Sequence, residues 1–177
     1  MRNFLLLSAL ACLHGLGSAQ ETVNRTLTQG WGTVPSQRRY INAAQARAVI
    51  EAGVQQSMAI GVPNSIAVLD PSAQLVAFLR MDNAFLSSMD ISIKKAKTVS
   101  LFNGLYPSSV LYNRSEPGGD IYGIEQTNGG LVVFGGGQPI VDLEGYWIGS
   151  VGVSGGTNEQ DVDVSIAAAR SVGARSA

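Results

Sequence analysis

Histidine and cysteine each occur once in this 177-residue chain, as His14 and Cys12, and both fall within its first twenty residues. Residues 1–20 read as a secretory signal peptide. Arg2 supplies the basic start, an apolar run extends from Phe4 to Leu13, and Gly17-Ser18-Ala19 provides small residues for cleavage near Ala19. A membrane span needs about 20 apolar residues, and this run is shorter. A chain cleaved there has neither residue. It can hold no Ser-His-Asp or Cys-His nucleophile system, no Cys/His zinc site, no disulfide and no thiolate-bound haem. Its chemistry falls to carboxylates, Arg, Lys, Tyr, Ser, Thr, Met and backbone groups, and no metal site is expected.

Charge is also scarce. Asp, Glu, Lys and Arg make up 14% of the residues, against about a quarter in a typical soluble domain. Losing Arg2 with the leader turns 12 basic and 13 acidic residues into 11 and 13, a net charge of −2. That balance gives no reason to expect nucleic acid or an anionic membrane as partner. With 21 glycines, the low charge fits either extensive burial through self-association or simply a Gly/Ala-rich core. Two sequons, Asn24-Arg25-Thr26 and Asn113-Arg114-Ser115, stand behind the leader as candidate glycosylation sites of a secreted, eukaryotic-looking chain.

What is present divides into three parts: the leader, an irregular polar arm over residues 21–41, and one domain over residues 42–177. Asn42 sits as an N-cap before Ala46, Val49, Ile50, Val54 and Met58 at helical spacing, and Gly61 with Pro63 ends that segment. Ser65–Leu69 and Leu75–Arg80 read as a β-hairpin around Asp70–Gln74. Helical character returns over Ser88–Leu105. Residues 108–130 read as a long loop with one short helix. Strands are expected at Leu131–Phe134, Gln138–Val141 and Tyr146–Val153. A final helix over Glu159–Val172 opens on the capping box Thr157/Gln160. Strands joined by tight turns imply an antiparallel sheet with packed helices, an α+β fold.

Three segments, in this order, resemble the GlcG/HbpS family, sometimes labelled a haem-degrading domain. They are Leu79-Arg80-Met81-Asp82-Asn83-Ala84 continuing to Lys95-Ala96-Lys97-Thr98, then Gly136–Ile140, then Ile148–Gly155 with Glu159-Gln160-Asp161. The resemblance covers Asn42 to about Val172. It implies a profilin- or PAS-like sandwich and homo-oligomers, commonly octamers. It also implies haem or another tetrapyrrole as candidate ligand, although relatives include a lyase acting on hydroxylaminobenzoate. The chain departs from the bacterial pattern in its leader, its sequons and its missing histidine.

Individual residues carry two readings each. Arg80 and Asp82 flank Met81 at a strand end, where alternation puts them on one face, either as a substrate anchor with its base or as a structural ion pair. Lys95 stands at the family's lysine position, as partner to a buried acid or to a ligand carboxylate. Lys94 and Lys97 read as a solvated face. Gly137, Ser154 and Gly155 belong to glycine-rich turns, and the turn over Ser154–Thr157 is either an anion seat at a helix start or a close-packing device. Tyr106, Tyr112 and Tyr122, with Glu116, Asp120 and Glu125, either line a pocket or anchor the loop. Met81 and Met89 read as core, with Met81, Tyr106 and Tyr122 the available iron contacts. Trp31 and Trp147 read as packing residues.

The first functional expectation is a secreted, oligomeric small-molecule-binding protein with haem as candidate. The second is a cofactor-independent lyase or isomerase acting on a small aromatic or carboxylic acid. There Arg80 anchors, Asp82 or Glu125 moves a proton, and Lys95 or Tyr122 stabilises negative charge. A structural oligomer without ligand is the third.

Overall fold

The computed structural model describes residues 23–173; the leader, with its cleavage point near Ala19, lies outside them. Helix α1 (Ala43–Ala59) begins at a capping box. The Asn42 side chain accepts the Gln45 N–H at 2.9 Å, and the Asn42 N–H donates to Gln45 Oε1 at 3.0 Å. It ends where Gly61 turns left-handed (φ 67°), so that Gly61 N–H reaches Met58 O and Val62 N–H reaches Ser57 O. This is a Schellman closure, which needs a residue without a Cβ penalty. The buried row is Ala46, Val49, Ile50, Gly53 and Ser57. Met58, expected in that row, is 70% exposed, because Ser57 holds the next position facing the sheet.

Strands β1 (Ser65–Leu69) and β2 (Leu75–Arg80) pair antiparallel around a turn in which Asp70 Oδ1 accepts the Ser72 and Gln74 N–H groups. Helix α2 (Ser88–Leu101) follows. A short helix α3 (Tyr112–Ser115) and 3-10 turns at Ser108–Leu111 and Ile124–Gln126 occupy the expected long loop. Strands β3 (Gly137–Val141) and β4 (Trp147–Ser154) form the second hairpin, closed by Asp142 Oδ1 on the Glu144 and Tyr146 N–H groups. Helix α4 (Asn158–Arg170) starts at the expected Thr157/Gln160 capping box.

The sheet order is β2-β1-β4-β3, antiparallel throughout. One expected strand is absent among the described residues. Leu131–Phe134 pairs with no strand: Val132 N–H donates to Thr98 Oγ1 and Phe134 O accepts from Ser108 Oγ. Helix side chains satisfy that backbone in place of a sheet ladder.

Alternation along β1 divides the core. Ile66 and Val68, with Val151, Val153 and Ile140, pack against α1 and α4. Ala67 and Leu69 pack with Ala96 of α2 on the other face. The result is a mixed α+β molecule with one helix on one side of the sheet and two on the other. Helix α2 lies unusually close to β4. A Cβ on Gly152 would sit 1.9 Å from Ser92 O, and Ser150 Oγ donates to Ala96 O.

The arm packs back on the domain. Trp31 meets Trp147 edge-on at 4.8 Å, Arg38 lies over the Trp31 ring, and the Arg25 guanidinium donates to Gly30 O and Gly104 O.

Candidate functional site

The inner stripe of α2 runs Ser88, Ser92, Lys95, Ala96, Val99, so helical periodicity carries a lysine into the protein. Lys95 is fully buried. Its Nζ donates to Asp161 Oδ2 at 2.6 Å and to Val153 O at 2.9 Å, and lies 4.8 Å from the Phe134 ring centre. Asp161, in the first turn of α4, is buried as well, and its Oδ1 accepts the Gly156 N–H at 2.9 Å. One ion pair thus ties α2, β4 and α4 together. Burial pushes the Lys95 amine below its ordinary pKa and the Asp161 carboxyl above its own, outweighing their mutual attraction in both cases.

Glycines make the room. Gly136 is left-handed (φ 110°), and a Cβ there would lie 2.9 Å from Lys95 Nζ and 2.6 Å from Val153 O. Gly137 donates its N–H to Ser108 Oγ at 3.0 Å, and Ser108 Oγ donates to Phe134 O at 2.6 Å. Ser108 therefore fixes both the turn and the backbone of Phe134.

Above the ion pair opens a cleft of about 500 Å³. Phe85, Ile91, Tyr112 and Phe134 form its apolar walls, Ser87, Ser88 and Asn158 its polar ones, and Ser154–Gly156 with Asp161 its floor. Its size is ordinary for a small-molecule site. Tyr112 and Phe134 also wall a second hollow of about 440 Å³, which Glu116, Tyr122 and Glu125 help to line.

Among the residues expected at a site, Lys95, Gly137, Ser154 and Gly155 converge here. Tyr122 and Glu125 lie in the adjoining hollow. Arg80 and Asp82 are exposed at the far end of β2 and the turn after it, form no ion pair among the described residues, and line neither space. Strand β2 ends at Arg80, so its alternation does not extend to Asp82. Met81 is half-buried, its sulfur accepting the Asn64 N–H at 3.4 Å. Tyr106 packs on Phe102, and Asp120 pairs with Arg114 at 2.7 Å. Met89 is exposed rather than core, because it lies off the inner stripe of α2. Lys94 pairs with Asp90 and Lys97 donates to Asn128 O, as the solvated-face reading implies.

The turn before α4 favours its close-packing reading. Gly156 N–H is taken by Asp161, Gln160 N–H by Thr157, and the Glu159 carboxyl is held below its ordinary pKa by the backbone N–H at the helix start and by Thr157. The chain's own groups fill the place of an anion. Sequence reasoning does not reach Asp161, Phe85, Ser87, Phe134 and Asn158 as site residues, whereas Tyr112 is among its pocket candidates. The available signal was Lys95 on the apolar stripe, since a buried ammonium requires a buried acid.

No group of three or more His, Cys, Asp or Glu among the described residues could hold a metal, and no helix there is long and apolar enough to cross a membrane. Comparison with known proteins then places the chain. A model of the family described as haem degrading protein HbpS-like matches residues 41–170. The chain belongs to the HbpS-like family. It is 40% identical over 123 residues to an uncharacterized 15.0 kDa protein from the dhaT-dhaS intergenic region of Citrobacter freundii, covering 68% of this chain and 84% of that one. The crystal structure of Klebsiella pneumoniae protein ORFY superposes with TM-score 0.71 at 33% identity, covering 78% of this chain and 95% of the other. The complex of PduOC with haem superposes with TM-score 0.69 at 28% identity, covering 75% and 95%. The family match over residues 41–170 takes in all four strands and helices α1 to α4.

Proposed function

We propose that the cleft binds a small, largely apolar ligand, with haem or another tetrapyrrole as the candidate. The observation that carries this is the aromatic slot of Phe85, Tyr112 and Phe134 over a floor locked by Lys95 and Asp161. The haem complex of PduOC supports the ligand class. The residue types fit a haem in part. Phe85, Ile91 and Phe134 offer apolar faces for a macrocycle, and Tyr112 is the cleft residue of a type that ligates haem iron. Lys95 is committed to Asp161 and the Ser88 hydroxyl to Phe85 O, which leaves Ser87 and Asn158 as donors for ligand carboxylates. A haem titration of the purified chain, followed at the Soret band, tests the reading. A saturable, shifted band at one haem or fewer per chain is expected, and Tyr112→Phe should abolish the shift. A free-haem spectrum throughout would refute it.

One observation favours a second reading. Asp161 is a cleft-lining carboxyl whose pKa burial raises beside a lysine whose pKa burial lowers, an arrangement found where protons are moved. In a cofactor-free lyase or isomerase, Asp161 would move the proton in place of Asp82 or Glu125, Lys95 would stabilise negative charge, and Tyr122 and Glu125 lie next door.

The proposal extends to a secreted, glycosylated and self-associating chain. It rests on the leader, on the exposed sequon residues Asn24 and Asn113, and on the apolar lip where Phe85 is 69% and Leu86 78% exposed. Glycosidase-induced mass shift and sedimentation velocity test glycosylation and self-association.

A further inference from the structure

The second hollow has a different chemistry from the cleft beside it. Glu116 and Glu125 line it, and among the described residues neither carboxylate has a cationic partner. The basic groups of the neighbourhood are already engaged: Arg114 with Asp120, Lys97 with Asn128 O, and Lys94 with Asp90. Independently of the acids, three aromatic rings face the same space, Tyr112, Phe134 and Tyr122, the last 69% exposed. An aromatic face attracts a cation through its quadrupole, and carboxylates at the rim reinforce that attraction. Among the described residues no third acidic or imidazole group joins the two carboxylates, and the aromatic walls favour an organic cation over a strongly hydrated metal ion.

The segment is built to hold this shape. Gly119 N–H donates to Glu116 O, Ile121 N–H to Arg114 O and Leu131 N–H to Glu125 O. These bonds close two turns, over residues 114–121 and 125–131. Gly119 permits the tightest point, since a Cβ there would lie 1.9 Å from Arg114 O.

We infer that this hollow is a subsite for an organic cation, an alkylated or aryl amine of modest size. It is separated from the cleft by Tyr112 and Phe134. The inference does not rest on haem binding, because its acids and Tyr122 lie outside the cleft.

Proton NMR of the tyrosine ring resonances tests it, with phenyltrimethylammonium as probe, 2-phenylpropan-2-ol as uncharged comparator and benzenesulfonate as anion. The cation should bind saturably, about tenfold more tightly than the alcohol, with the sulfonate weaker still. Glu116→Gln/Glu125→Gln should erase that preference at an unchanged melting temperature. Tyr122→Phe should keep the preference and Tyr122→Ala weaken it. Equal binding of cation and alcohol, a preference surviving in the double glutamine variant, or competition by magnesium ion would each overturn the assignment. A Soret titration of the same double variant separates this outcome from the haem reading, which predicts no change there.

Discussion

Removing one member of the Lys95–Asp161 pair should cost far more than removing both. In Asp161→Leu the ammonium of Lys95 stays fully buried and loses its carboxylate, keeping Val153 O as its one acceptor. In Lys95→Met the Asp161 carboxylate keeps the Gly156 N–H but loses its cation. Breaking a buried pair in this way costs about 3–5 kcal/mol. For a domain of this size that is about 6–20 °C in melting temperature, at roughly 2–4 °C per kcal/mol. The double variant Lys95→Met/Asp161→Leu leaves no stranded charge. It orphans Val153 O, worth about 1 kcal/mol, while the exposed Gly156 N–H turns to water. Its stability should lie near that of the natural chain or above it, as replaced buried pairs generally do. Urea unfolding at pH 7 of all four proteins closes the cycle. Single variants that lose less than about 1 kcal/mol, or a double variant less stable than either single, would refute the reasoning.

The pH dependence follows from the same burial. The folded pKa of Asp161 is raised above 3.8, so its contribution to stability is present below that value and is lost as pH rises through the higher folded pKa. The folded pKa of Lys95 is depressed below 10.5, so its contribution is present above that value and is lost as pH falls through the lower folded pKa. Between those limits both groups are charged and both desolvation costs are carried. The advantage of the double variant over the natural chain should therefore peak around neutral pH and shrink on either side.

Two further substitutions probe the frame of the cleft. Gly152→Ala places a methyl 1.9 Å from Ser92 O and 2.6 Å from Ala96 N, so α2 must lift off β4; a loss of about 3 kcal/mol or more is expected in urea unfolding, at the upper end for overpacking. Thr157→Ala removes the cap on Gln160 N–H and should cost about 1 kcal/mol, read as a thermal shift of about 2–4 °C with haem titration unchanged.

Local chemistry made much of the fold legible. The Asn42 and Thr157 caps, the Asp70 and Asp142 turns and the strands Ser65–Leu69 and Leu75–Arg80 all rest on contacts within a few residues in sequence, and the structure has them there. Leu131–Phe134 misleads because its apolar alternation fits a strand, while Thr98 and Ser108, distant in sequence, take its backbone hydrogen bonds. Met58 and Met89 mislead for a related reason: apolar character does not decide which of two adjacent helix positions faces the sheet, and Ser57 and Ser88 are the buried neighbours. At the site, Lys95 stood out because its position on α2 separates it from Lys94 and Lys97. Its partner did not, since Asp161 is equally well explained by the positive end of the α4 dipole. Arg80 and Asp82 sat in a family motif, and a motif carries no information about which face of an edge strand a cleft will use.

The glycines that read as a compositional oddity are the reason the cleft has a floor. Lys95 can bury its ammonium because Gly136 has no side chain in its path, and α2 can bring Lys95 to β4 because Gly152 lets the helix backbone touch the sheet. A chain whose domain holds no cysteine has no covalent staple to fix α2 against α4. Here the Lys95–Asp161 ion pair joins α2 to α4 beneath the ligand walls, with Lys95 also held by Val153 O of β4 and Asp161 by the Gly156 N–H. Site geometry and global stability therefore depend on the same residues. An Asp161 variant that loses ligand binding identifies a contact residue only if it still melts cooperatively above the assay temperature. Peripheral wall positions such as Tyr112, which carry no part of that junction, are where a change in binding can be assigned to the ligand itself.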